Sequence, residues 1–490
     1  MKWDTRAARR ALRCALLAAA PFAGTGNALA HAFGARYELP VPVWLFVVGG
    51  ALTVTLTFVV LAVFARGGAE RYARACWKLQ GTLAGRLMCA PVLSATLRLL
   101  GVAGLALVIV TGLFGATDPN RNIAPTLVWI VWWVGFSYLA MLVGNVWPVV
   151  NPWRTLFALF SAWRGRAPAT TPWPPSAGSW PSLGLLLAFG WVELVFPFRA
   201  TPVVLAAMVM AYSVLTWAGM ARYGPDAWLD NADPFHRVFE LFSRFAPVAA
   251  TPRDGLVLRL HAAGLLRRDA TRSSTTEVAF VMAMLAIVLF DALQGSKHWA
   301  ALEDMIHALD PKLGDAGWVA LHTAGLLATW LLFLSLYLGA CAIARAGADG
   351  SLSTLACART FAPTLIPIAV GYHFAHTFTY LLVQGQTLHF LVSDPLGIGW
   401  NLFGTRDAQI DIAIIGTKTA WYLALSAIVA GHAISVYLAH VTAERLLGTR
   451  AQVSRILLPM TMLMVIYTIV SLMILADPLV RYSGPQDTII

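Results

Sequence analysis

The sequence predicts an all-α polytopic membrane protein, and three features of its composition and charge predict this fold class. Hydrophobic residues make up 58% of the 490 residues. Only 12% are charged, which is about half of the roughly 25% that is usual in soluble domains. The formal net charge is nevertheless +11, and basic residues orient membrane proteins by collecting in cytoplasmic loops. A soluble enzyme, a disordered scaffold and a nucleic-acid-binding protein are therefore not expected.

Residues 1–30 have the layout of a secretory signal peptide that is removed from the mature protein. Five basic residues precede the apolar stretch 14–22, and Ala28-Leu29-Ala30 is a small-x-small cleavage pattern. The apolar stretch is too short to span a bilayer, although an uncleaved anchor is the alternative. Cleavage after Ala30 would leave His31 as the first residue of a single helical membrane domain, 31–490.

Ten apolar runs follow the signal peptide, and their lengths suit membrane helices, with the fourth short and the ninth long. If the mature N-terminus is outside, 21 Lys and Arg residues fall in cytoplasmic loops and 7 on the opposite side. This positive-inside distribution places both mature termini on the non-cytoplasmic side. The predicted spans are 43–64, 97–116, 124–144, 183–198, 202–221, 277–293, 317–343, 362–383, 413–441 and 457–475.

The longest cytoplasmic loop, 222–276, is basic and contains two segments with helix-like periodicity. These segments are FHRVFELFSRF (235–245) and DGLVLRLHAAGLLRR (254–268). Basic amphipathic helices lie along membrane surfaces that carry anionic lipid. We therefore expect two interfacial helices in this loop.

Few ionisable residues lie within the predicted spans, and such residues are costly in a bilayer and are therefore functional candidates. Two carboxylates are candidate catalytic groups, and four histidines are candidate metal ligands. The carboxylates are Glu193 and Asp291, and the histidines are His322, His373, His376 and His432.

The most suggestive pair is His373-x-x-His376, because residues three apart share one face of a helix. Two imidazoles on one face suit a divalent metal such as zinc or copper. The alternative is that both side chains hydrogen-bond to neighbouring helices. His31 is a further candidate ligand, since an N-terminal histidine offers its α-amine and its imidazole to one copper ion.

Several long stretches resemble a bacterial membrane family known as fenitrothion hydrolases. The resemblance covers nearly the whole of the mature chain and includes the segment that begins at His31. The stretches that carry it are HAFGARYELPVPVWLF (31–46), NIAPTLVWIVWWVGFSYLAMLVGNVWPVVNPW (122–153), LIPIAVGYHFAHTF (365–378), QGQ (384–386), SDPLGIGWNLFGT (393–405) and GHAISVYLAH (431–440).

This resemblance implies hydrolysis of an apolar organophosphorus triester in a bacterial inner membrane, with a second related membrane subunit as partner. It gives weight to His31, Asp291, His376 and His432, which lie in or beside matching stretches. Two positions depart from the family pattern. The position of His373 is less often histidine in the family, and Val441-Thr442 replaces an acidic residue that usually ends the last motif.

The sequence thus leaves two main function hypotheses open, and a third possibility is haem-based electron transfer, because histidines on two helices can clamp a haem. The first is a metal-assisted phosphotriesterase, in which His31, His322 and His376 bind the metal and Asp291 is a ligand or the general base. In this hypothesis Glu193 is a weaker candidate. The second is a membrane transporter or copper-handling protein, because intramembrane His, Asp and Glu also serve proton or metal movement.

Overall fold

Long apolar helices dominate the computed structural model of the protein. The part of the chain that it describes contains nine helical stretches that are long and apolar enough to cross a membrane, and one shorter apolar helix. The predicted signal peptide, 1–30, and His31 lie outside that part. The described residues are 37–38, 42–64, 72, 75–165, 170–251, 255–266, 274–347, 352–447 and 450–481.

These ten helices correspond to the ten predicted spans, so the chain is an all-α polytopic membrane protein that resides in a bilayer. The helix of the fourth span is the short one, as expected. In chain order the helices are α1 (Val43–Phe64), α3 (Pro91–Phe114), α4 (Ile123–Leu142), α7 (Trp180–Leu194), α8 (Pro202–Tyr223), α11 (Thr275–Gln294), α13 (Asp315–Gly347), α15 (Ile366–Gln384), α17 (Thr417–Leu446) and α18 (Arg450–Leu479).

Shorter elements connect the long helices. The short helices are α2 (Leu83–Met88), α5 (Trp147–Val150), α6 (Pro152–Trp163), α9 (Pro225–Asn231), α10 (Pro234–Ser243), α12 (Lys297–Leu309), α14 (Thr354–Phe361) and α16 (Thr387–Leu391). The strands are β1 (Tyr37–Glu38), β2 (Cys76–Lys78), β3 (Val248–Thr251), β4 (Gly255–Arg259) and β5 (Val480–Arg481). Strand β4 pairs antiparallel with β2 and β3, and β1 pairs parallel with β5.

Helix starts are marked in the sequence by proline and by capping side chains. Proline stands in the first turn of α3, α6, α8 and α10, where its missing N–H costs nothing. Helix α11 begins at a serine N-cap, in which the Ser274 hydroxyl accepts a hydrogen bond from the N–H of Glu277. These local signals explain why the boundaries fall where they do.

Helix α11 is the centre of the bundle. In the most apolar 18-residue stretch of this helix, 83% is buried inside the protein, a higher share than in any other long helix of the described chain. Its neighbours include α7, α13 and α15, and its residues Phe280 and Phe290 are fully buried. Because protein surrounds α11 on most sides, the polar residue at its last turn, Asp291, is held against other helices.

Helices α15 and α17 cross at glycine residues. A Cβ atom built on Gly371 would lie 2.4 Å from the carbonyl oxygen of Ala427, and one on Gly431 would lie 2.5 Å from that of Pro367. Only glycine permits this close backbone approach. The crossing therefore fixes the position of α15, which carries His373 and His376.

Helix α4 contains a ten-residue π-helix, Thr126–Gly135, with the sequence TLVWIVWWVG. Such π-helical segments are rare and occur frequently at functional sites. The segment places tryptophan side chains on more than one side of α4, as described below.

The loop 222–276 differs from the prediction in two ways. Helix α10 forms as expected, but it does not lie on a lipid surface, because Val238, Phe239 and Leu241 are almost completely buried in the protein. The predicted second helix is wrong, since β4 and a short 3₁₀ turn, Ala263–Leu266, occupy that segment. A short apolar run such as LVL (256–258) fits a strand as well as a helix, and Gly255, at φ +64°, starts it in a conformation that favours glycine.

The cap of α10 predicts a measurable pH dependence. The buried carboxylate of Asp233 accepts hydrogen bonds from the N–H groups of Phe235 and His236 at 2.9 and 3.1 Å. Burial raises the pKa of Asp233, so stability falls as the pH rises through that raised pKa. We expect Asp233→Asn to keep the cap and to flatten this dependence, and Asp233→Ala to cost about 1 kcal/mol. Thermal unfolding in detergent at several pH values would measure both effects, and equal losses in the two variants would contradict the assignment.

The glycine crossing predicts a strong difference between two glycine positions. Gly431→Ala should push α15 and α17 apart and cost about 1–3 kcal/mol through overpacking. The matched control is Gly339→Ala in α13, where a Cβ atom would meet nothing within 4 Å. The control should be neutral or slightly stabilising, since alanine favours helix. Similar unfolding temperatures for the two variants would show that the crossing is not tight.

Candidate active site

Asp291 and His376 form the closest pair among the candidate residues. Asp291 lies in the last turn of α11 and His376 near the middle of α15. The Oδ2 atom of Asp291 is 2.7 Å from Nε2 of His376. The side chain of Asp291 is 35% exposed and that of His376 is 12% exposed, so the pair is accessible from one side. The carboxylate accepts the Nε2–H, which leaves Nδ1 as the ring nitrogen that can bind a proton.

Glu193 reaches the same region from the end of α7. The indole Nε1 of Trp133, in the π-helical part of α4, donates to Oε1 of Glu193 at 2.7 Å. The carboxyl groups of Glu193 and Asp291 lie within electrostatic range of each other. The structure therefore brings both predicted catalytic carboxylates together, on α7 and α11.

Two further residues belong to this cluster and were not predicted from the sequence. Tyr380 lies one helical turn after His376, and its hydroxyl is within electrostatic range of Glu193, Asp291 and Arg199. Arg199 follows α7 and interacts with Glu193, and its carbonyl oxygen accepts the Nε1–H of Trp129 at 3.2 Å. We call Glu193, Arg199, Asp291, His376 and Tyr380 the polar cluster.

The spacing of Tyr380 was a usable signal, because residues i and i+4 share a helix face. Arg199 gave a weaker signal, since it stands just outside the predicted fourth span and is one of the few basic residues on that side. The partnership of Trp133 with Glu193 joins residues 60 positions apart, and no local pattern predicts it.

His373 lies within electrostatic range of His376 and Asp291, but its ring packs among aromatic side chains. Its ring is 3% exposed and lies against the rings of Trp133, Tyr138 and Phe242, with centroids 6.2, 5.9 and 5.6 Å away. Its Nε2 atom has no hydrogen-bond partner among the described residues. The two histidines of the H-x-x-H pair thus have different partners.

His322 and His432 each have a partner that is not a member of the polar cluster. The Nε2 atom of His322 is 3.2 Å from Oε1 of Glu303, a partner on α12 that the sequence did not indicate. Glu303 also accepts the Nε1–H of Trp299 at 2.8 Å. His432 is fully buried, and its Nδ1 lies 2.9 Å from the carbonyl oxygen of Ile428 one turn earlier.

Within the described ranges, no three or more His, Cys, Asp or Glu side chains are grouped so that they could hold a metal ion. His322, His376 and His432 have separate partners. His31, the other expected ligand, lies outside the described residues. Of the expected donors, the structure therefore places only His376 and Asp291 in direct contact.

The fold and this cluster define a class: a polytopic helical membrane protein with a carboxylate–imidazole pair among its spans. No model of a known protein family, no curated protein and no solved structure matches the chain.

The contact between Trp133 and Glu193 predicts coupling between the two residues. Trp133→Phe should leave the Glu193 carboxyl without its donor and cost about 1–3 kcal/mol. In a Glu193→Leu background the same change should cost much less. A double-mutant cycle of unfolding in detergent measures this difference. Simple additivity would show that the hydrogen bond contributes nothing to stability.

Proposed function

We propose that the protein is a membrane-bound hydrolase that cleaves the P–O–aryl bond of organophosphorus triesters such as fenitrothion. The resemblance described above suggests the reaction. The observation that carries the proposal is the accessible hydrogen bond between Asp291 and His376, because a carboxylate that orients an imidazole is a general-base arrangement.

In the proposed reaction, water is activated by His376. The Nδ1 atom of His376 takes a proton from water while the water oxygen attacks phosphorus. The P–O–aryl bond breaks, and the aryloxide leaves with the bonding electrons. Asp291 accepts the hydrogen bond from Nε2, holds the ring in the productive tautomer and stabilises the imidazolium that forms.

The other members of the polar cluster act on the leaving group in this proposal. Arg199 and Tyr380 supply positive charge and an O–H donor where negative charge develops on the aryl oxygen. A nitrophenolate needs little protonation, so Glu193 serves as a proton donor only for poorer leaving groups. Trp133 holds Glu193 in place through the indole N–H.

A divalent metal, zinc or copper, remains part of the proposal. An imidazole and a carboxylate are suitable donors for both, so in a metal-bound form His376 and Asp291 would hold it together with His31, and His376 would then leave the activation of water to the metal. When bound, the metal would lower the pKa of a water and polarise the phosphorus–sulfur group. The proposed partner is a second related membrane subunit in the bacterial inner membrane.

One observation favours a second function, proton-coupled or copper transport. Glu193, Asp291, His376 and Tyr380 form a series of proton-carrying groups between helices of a membrane protein. Such series are typical of proton pathways in transporters. The polar cluster would then carry protons across part of the bilayer instead of activating water.

Membrane vesicles that contain the chain, with the partner subunit present, should release nitrophenol from fenitrothion. His376→Ala and Asp291→Asn should each lower turnover by about 10²–10⁴, the usual contribution of a general base. The control is His307→Gln, since His307 is an exposed residue on α12 outside the polar cluster. Metal analysis of the same samples tests whether His376→Ala also removes zinc or copper.

Turnover that survives both substitutions would refute the assignment of the pair. If vesicles release no nitrophenol but take up protons, and His376→Ala abolishes that uptake, the transport function replaces the hydrolase.

A further inference from the structure

A cavity of about 590 Å³ lies between α3, α4, α7, α8 and α10. Its volume is in the range of small-molecule sites, which are commonly 300–1,000 Å³. None of the residues that line it is charged, and almost all are aliphatic or aromatic. Because burying a charge without a partner is very costly, the cavity suits a neutral, apolar molecule.

Aromatic rings form much of the cavity wall and hold one another in place. Trp132 meets Phe235 edge-on at 4.4 Å between centroids, and Trp153 meets Tyr212 in the same way at 5.1 Å. The indole N–H of Trp153 donates to the hydroxyl of Ser213 at 2.7 Å. Fixed rings offer faces and edges to another ring at little entropic cost.

The cavity opens toward the outside of the bundle. Leu100 lines it and is also 60% exposed, and in a membrane-spanning bundle this exposed surface of α3 faces lipid. Gly104, on the same helix, also lines the cavity and leaves room there, since a Cβ atom at this position would meet nothing within 4 Å. A molecule dissolved in the bilayer can therefore enter from the side.

The aromatic wall continues to the polar cluster. Phe189 lines the cavity and lies one turn before Glu193 on the same face of α7. Its ring centroid is 4.7 Å from that of Trp133, whose indole N–H bonds to Glu193. One short row of contacts thus joins the cavity to a carboxyl group of the cluster.

We propose that this cavity binds a neutral aromatic small molecule that enters from the lipid bilayer. The role of the cavity in catalysis rests on the proposed function, in which the bound ring is the aryl group of the substrate. The proposal that an aromatic molecule binds here rests on the volume and the lining of the cavity alone. The aromatic wall favours a ring as the occupant over the aliphatic chain of a lipid, because aromatic pairs gain energy beyond the area they bury.

Purified full-length protein in nanodiscs provides the test, with 4-nitroanisole as a neutral aromatic probe that quenches tryptophan fluorescence. Gly104→Phe should fill the cavity and weaken saturable quenching at least tenfold. The matched control is Gly184→Phe on α7, which does not line the cavity and where a Cβ atom also meets nothing within 4 Å. The probe should raise the unfolding temperature of the wild type and the control only, because a ligand of the folded state stabilises it.

Ala211→Trp, which fills the same cavity from α8, replaces Gly104→Phe if that variant does not fold. Equal saturable quenching in the filled variants and the wild type would overturn the proposal. Oleyl alcohol is the aliphatic competitor, and displacement of the probe by oleyl alcohol at lower concentration would assign the cavity to a lipid chain and also overturn it. Probe binding that persists without any fenitrothion turnover would keep the cavity site and reject the hydrolase.

Discussion

The core of a bilayer holds no water, so a polar group inside this bundle is stabilised by a partner within the protein. This constraint explains the arrangement around Glu193, Asp291 and His376. Trp133 donates to Glu193, and His376 bonds to Asp291. Because each partner comes from a different helix, the four side chains also fix how α4, α7, α11 and α15 pack. The residues that are candidates for chemistry are therefore also residues that hold the helices together.

The sequence predicted the spans well because their signal is local. Apolar length, the signal that predicted them, is a property of each segment alone. The polar cluster was predicted only in part: Glu193, Asp291 and His376 stand out as ionisable residues inside spans, whereas Arg199 and Tyr380 were not predicted. Outside the cluster, the partner of His322 could not be foreseen. That partner, Glu303, lies on a separate helix, and contacts between elements depend on packing. Strand β4 was missed because its apolar run is short, and periodicity alone does not separate such a run from part of a helix.

The π-helix of α4 links the two sites of the molecule. Trp132 and Trp133 are adjacent in sequence, yet Trp132 lines the apolar cavity and Trp133 bonds to the polar cluster. Neighbouring residues on a helix point in different directions, so one helical segment can contribute side chains both to the apolar cavity and to the polar cluster. The rarity of a π-helix of this length fits a segment whose geometry serves a site.

The division between the two environments also suggests how they would work together. An apolar triester partitions into lipid, and an apolar cavity binds it without the cost of desolvating charges. Hydrolysis in turn needs water, and in the proposed reaction water would reach His376 from the exposed side of Asp291. A single pocket would have to bind both the apolar triester and water, and the water in it would weaken the binding of the apolar part of the triester. In the proposed reaction, separate neighbouring sites, joined through the contact of Phe189 with Trp133, would let lipid supply the substrate and the aqueous side supply the nucleophile.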